Sequence, residues 1–162
     1  ELTDPDKYKG LVLATPVGIN AGGRFFGVAA GKGEIDLTVR AWYDEDLKKL
    51  ENSVISLCRE LSRDAGIEFS YDIRDDFIGT HNSDELYGVV KFAAENAGLN
   101  TVIPNEPFRW SEDFGQFGQH CKAFMCGIGA GENAPGLHTP EYKWNDEVTQ
   151  SAIKLFKQII KS

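Results

Sequence analysis

Cysteine is scarce in this sequence, and so are long apolar runs and clustered positive charge; each shortage removes a class of protein. The three cysteines, Cys58, Cys121 and Cys126, are odd in number and lack CxxC spacing. Neither a disulfide framework nor a zinc knuckle is indicated, and a reducing cytoplasm is the expected setting. Cys58 falls at helical spacing and Cys121 and Cys126 flank Phe124, so all three read as buried packing thiols. No apolar stretch approaches the ~20 residues that span a bilayer, and nothing reads as a signal peptide, so no membrane partner is expected. The net charge of -8, with no cluster of Lys or Arg interleaved with aromatics, opposes binding to nucleic acid. A small or cationic partner is easier to accept.

What is present describes a globular chain. Hydrophobic residues at 41% and charged residues at 26% exclude disorder. At 162 residues the chain is long enough for one ordinary domain or two small ones, and should bury roughly 70% of its unfolded surface.

The first third reads as strands. Leu11 to Ala14 is a short apolar run, a glycine-rich turn region from Gly22 to Gly33 follows, and residues 34 to 42 then alternate. Ile35, Leu37, Val39 and Ala41 take one face, and Glu34, Asp36, Thr38 and Arg40 the open one. Leu47, Leu50, Val54, Leu57 and Leu61 recur at helical spacing, with Asp44 a candidate N-cap and Gly66 a stop. Ile67, Phe69, Tyr71 and Ile73 alternate again and predict a third strand. Strand, strand, helix, strand would be the last two-thirds of a ferredoxin-like unit whose opening strand and helix are missing.

The second block alternates helix with apolar or extended segments and looks like α/β material. Asn82 with Glu85 makes a capping box for a helix that buries Leu86, Val89, Val90 and Ala93 and ends at Gly98. An extended segment at 101 to 108, a short turn or helix around residues 111 to 117 and an apolar strand at 122 to 129 follow. A final helix from about Asp146 to Ile160 would turn Val148, Ala152, Ile153, Phe156 and Ile160 inward. Two or so strands are too few for a complete sandwiched sheet. On pattern alone, two truncated blocks and a single small α+β domain are equally good descriptions.

Three places carry candidate chemistry. His138 lies in a loop, and Pro140 forbids a helix after it, so His138 and Glu141 are not a helical metal pair. A catalytic zinc needs about three protein ligands, and His81 and His120 stand in polar surroundings typical of surface histidines. Arg109, Ser111, Glu112 and Asp113 cluster between Trp110 and Phe114, although Ser111 with two acids after it is also how a short helix starts. Arg40 could grip a carboxylate bidentately or serve a cross-strand ion pair. The glycines at 127, 129 and 131 fail as a phosphate loop, because Glu132 replaces the last glycine and Pro135 the helix. No serine or cysteine sits in a strand-turn-helix elbow.

Taken in order, "GGRFFGVAAGKGEIDLTVRA", "DDFIGTHNSDEL", "PFRWSEDFGQF" and "GLHTPEYKWNDE" resemble the C-terminal half of the dinuclear-zinc N-acyl-amino-acid amidohydrolases, a metallopeptidase family that includes aminoacylase, hippurate hydrolase and auxin-conjugate hydrolases. The resemblance covers nearly the whole chain. It implies a mixed α+β fold, with residues 1 to 76 the latter part of a ferredoxin-like lid that forms a homodimer interface. Residues 79 to 162 would be the C-terminal segment of an α/β catalytic domain. It further implies two divalent metal ions, zinc above all, with His138 the one ligand from this chain. Ser111, Glu112 and Asp113 would border the active site, and Arg40 would face the carboxylate of an N-acyl amino acid or small peptide. The general base belongs to the family's N-terminal half, so no catalytic residue is expected here and the chain alone should be inactive. Where the family often has Asn-Val-Ile-Pro, this sequence has Gly27, Val28, Ala29 and Ala30, which removes a side chain that could contact substrate. The competing reading is a noncatalytic dimerisation or carboxylate-binding module centred on Arg40.

Overall fold

The computed structural model describes residues 2 to 162. They form two compact units, one ending at Gly79 and the other running Thr80–Ser162. The architecture is mixed α+β, with one two-stranded antiparallel sheet and three α-helices.

In the first unit β1 (Val12–Ala21) pairs with β2 (Gly33–Ala41), Val12 opposite Ala41 and Ile19 opposite Ile35, with a bulge between Pro16 and Gly18. Helix α1 (Asp44–Asp64) packs on both strands. Leu50 is fully buried and Val12 nearly so, and these two are the unit's buried apolar side chains among the described residues. The alternation of β2 is real, yet of its apolar face only Val39 and Ala41 are even half-buried, while Ile35 and Leu37 are exposed. Likewise Leu57 and Leu61 of α1 are exposed rather than inward.

Asp44 is the first helical residue and not the N-cap; Tyr43 holds that place without a side-chain bond. The Asp44 carboxylate instead accepts the Gly79 N–H at 2.8 Å, tying the end of the unit to the start of α1. Gly66 stops the helix as expected. Its φ of +66° lets Gly66 N–H reach Arg63 O and Ile67 N–H reach Ser62 O, satisfying carbonyls that α1 leaves open.

The predicted strand at 67 to 73 does not form. Phe69 and Tyr71 share a face, their rings stacked 6.0 Å apart, but the segment joins no ladder. Alternation fixes which side chains share a face; a strand also needs a neighbour for its N–H and C=O groups.

The second unit contains α2 (Asp84–Asn96), a 3-10 helix (Asp113–Gln119) and α3 (Asp146–Lys161). Ala93 and Ala94 of α2 let Leu155 of α3 approach closely, and Leu99, Ile128 and Ile159 pack around them. The inward stripe of α3 is therefore Val148, Ala152, Leu155 and Ile159, not Ile153, Phe156 and Ile160, which are exposed. Val89 of α2 also faces out. Asn82 makes no capping box. Its amide donates to Met125 O at 2.9 Å and accepts from Met125 N–H at 2.7 Å, while Ser83 N–H donates to Ala123 O. Residues 122 to 129 are thus held to the start of α2 by the Asn82 clamp, the Ser83 bond and an ion pair of Lys122 with Glu85, and form no ladder where a strand is expected.

The accessible surface is 13264 Å². A single folded chain of this mass is expected to expose roughly 8,000 Å², and two separate units of half the mass roughly 9,700 Å² together. The expected 70% burial is not reached, because apolar faces that the pattern assigns to the interior have nothing over them among the described residues.

Candidate functional site

His138 is exposed, and its backbone is unusual: φ is +65°, in the left-handed region that few non-glycine residues enter. The loop around it is tied at several points. Asn145 caps α3 by accepting the Glu147 N–H at 3.0 Å, and the same side chain donates to Ala130 O at 3.3 Å, closing the base of the 131 to 144 loop. Nearer the tip, Thr139 bonds back to Gly136 and Tyr142 N–H bonds to Thr139 O. The sequence singles out His138 by residue type, and neither Thr139 nor Asn145, which tie its loop; the asparagine directly before two acids is the available signal for a cap.

Ser111, Glu112 and Asp113 are exposed and contiguous, leading into the 3-10 helix. Ser111 is not its cap: Glu112 occupies that position in extended conformation without a side-chain bond, and Asp113 opens the helix. Phe108 and Trp110 stack with ring centroids 4.1 Å apart, and a Cβ at Gly127 would lie 3.6 Å from Phe108 Cζ, so the loop rests on the 122 to 129 segment. Arg109 pairs with Glu106 at 3.4 Å. Two stacked aromatics and an ion pair three residues apart stiffen this loop from within.

Arg40 is exposed on β2, opposite Leu13, and belongs to the first unit. Beyond the end of β1, residues 21 to 32 enclose a cleft of about 560 Å³ lined by Phe25, Val28 and Lys32. Gly27 in that loop has φ +82°, and a Cβ there would meet nothing within 4 Å, so the position leaves space open.

Among the described residues no three or more His, Cys, Asp or Glu side chains come together as a metal site. His81 and His120 are exposed, as the sequence suggested. An exposed imidazole on a stiffened loop fits the part of one metal ligand, and the described residues do not make a site by themselves. The cysteines correct the sequence reading: Cys58 is half-buried and Cys121 and Cys126 are exposed. Desolvation still raises the Cys126 thiol above its ordinary value. No described helix is long and apolar enough to cross a membrane.

Comparison with known proteins adds what the geometry leaves open. Two uncharacterized hydrolases from strains of Staphylococcus epidermidis are each 21% identical to this chain over 135 residues, covering 80% of it and 35% of their own length. The chain thus spans about a third of the length of these relatives. No solved structure gives a significant match. Residues 3 to 162 match the profile of peptidase family M20/M25/M40, and that span shows that the chain belongs to this family of peptidases.

Proposed function

We propose that this chain is part of a metal-dependent amidohydrolase that cleaves the amide bond of N-acyl amino acids or small peptides. The observation that carries the reading is His138: an exposed imidazole held at φ +65° by a bonded loop, in a chain that belongs to a peptidase family. Backbone strain of this kind persists where the surroundings over-determine it, and it concentrates at functional positions.

In this reading His138 supplies one ligand, through a neutral imidazole nitrogen, to a centre of two divalent ions, zinc by preference. Such a centre, when bound, would polarise the scissile carbonyl and lower the pKa of a bound water. Ser111, Glu112 and Asp113 border the substrate, and the stacked Phe108 and Trp110 keep that border in place. Arg40 offers a planar fork suited to the substrate carboxylate. The general base and the other ligands come from outside these residues, and the chain alone does not catalyse. The first unit serves as a lid and as a homodimer contact. Its exposed apolar residues, Phe26 at 99% among them, support an interface on that face.

The test is made on the protein as isolated from its source, by measuring zinc content and hydrolysis of an N-acetyl amino acid, with and without His138→Ala. Activity and metal that both fall in the variant are expected. The 162-residue chain alone should show no tight, stoichiometric zinc binding and no hydrolysis. Unchanged zinc and activity in His138→Ala, or tight zinc binding by the isolated chain, would overturn the reading.

A further inference from the structure

A left-handed backbone disfavours a residue with a side chain by roughly five- to thirtyfold in population, so something must hold His138 where it is. Gly136 to Thr139 form a four-residue turn with His138 in the third position, where a positive φ calls for glycine or asparagine. The backbone bond that closes the turn, Thr139 N–H to Gly136 O, is long at 3.3 Å. The same carbonyl accepts a second and shorter bond, 2.9 Å, from the Thr139 hydroxyl. Pro140 biases Thr139 toward extended backbone, the conformation from which the chain leaves such a turn. A second turn follows directly, Tyr142 N–H donating to Thr139 O at 3.1 Å around Pro140 and Glu141.

We propose that Thr139 is the positioning residue for His138. Its hydroxyl, not the weak turn bond, keeps Gly136 O in place and holds the histidine left-handed, so the imidazole is presented without having to be ordered by its ligand. The use of that arrangement rests on the reading of His138 as a metal ligand; the arrangement itself does not. Serine would preserve the bond. Valine, of nearly the same shape, would remove the donor and leave the turn to the 3.3 Å contact alone.

Nuclear magnetic resonance on the isotopically labelled 162-residue chain tests this. A left-handed residue brings its own amide and α protons close, so the His138 intraresidue cross-peak is about fourfold stronger than in a right-handed or extended residue. The strong peak is expected in the unmodified chain and in Thr139→Ser, and its loss in Thr139→Val, with the signals of α2 and α3 unmoved. An equally strong peak in Thr139→Val would overturn the proposal. If the valine variant fails to fold, side-chain couplings of Thr139 in the unmodified chain decide: one fixed χ1 rotamer supports the bond, and averaged couplings overturn it. Failure of the metal reading would show separately, as zinc content unaffected by His138→Ala in the source protein.

Discussion

Asp46 is the most deeply buried charged residue of the described chain, at 3% exposure, and replacing it with alanine should loosen the whole first unit. One of its carboxylate oxygens accepts both the Lys9 N–H, at 2.9 Å, and the Gly10 N–H, at 3.0 Å. It therefore fastens the segment before β1 to the first turn of α1, where a negative charge also favours the helix dipole. A buried donor left without a partner costs about 1 to 3 kcal/mol. Two such donors, partly reachable by water because Lys9 is exposed, together with a lost dipole contribution, come to about 2 to 4 kcal/mol. That is a large share of the ~5 to 15 kcal/mol of a typical domain.

Amide hydrogen exchange resolves this by site and avoids treating two units as one transition. Asp46→Ala should abolish protection at Lys9 and Gly10 and lower it along α1, with α2 and α3 unchanged. Asp46→Asn keeps an acceptor oxygen and loses only the charge, so it should cost about 1 kcal/mol. Alanine within about 0.5 kcal/mol of the unmodified chain would refute the argument, since surface changes alone stay in that range. So would an asparagine variant as damaged as alanine.

Two further outcomes test other parts of the structure. Leu155→Ala should cost the second unit about 2 to 3 kcal/mol in urea unfolding, the low end for such truncations because its alanine neighbours leave room to collapse; a loss below about 1 kcal/mol would show that α2 and α3 are held otherwise. At pH 8 Cys126 should react with iodoacetamide more slowly than the thiol of a free cysteine peptide: desolvation raises its pKa and keeps it protonated where the free thiol is partly ionised, so the gap should narrow as pH rises past the raised value. Equal rates at pH 8 would contradict the desolvation of that sulfur.

The three helices, and the glycine stops of the first two, were legible because each is a local signal. Gly66 and Gly98 follow α1 and α2 at the position where a left-handed residue closes the same pair of bonds. The strands at 67 to 73 and 122 to 129 were not, because pairing is a property of two segments and alternation describes one. Asn82 misled for a related reason. A side-chain amide three residues before a glutamate suits a capping box, and only the position of Met125 decides that it bonds across instead. Of the candidate site, His138 stood out by residue type and resemblance, whereas its positive φ was not fixed by the sequence: histidine is several-fold enriched in that region, yet most histidines still lie outside it.

The face of α3 shows why burial was harder to read than helix. The helix carries two apolar stripes, Val148, Ala152, Leu155 and Ile159 on one side and Ile153, Phe156 and Ile160 on another. Both have helical spacing, and the pattern gives no reason to prefer either. Contact with Ala93 and Ala94 selects the first, leaving Phe156 60% and Ile160 83% exposed. The same division separates Val39 and Ala41 from Ile35 and Leu37 on β2. In each case the pattern encodes more apolar surface than the described contacts cover. Uncovered apolar stripes on both units are what a chain would carry if it shared its interior with further protein, such as a second copy.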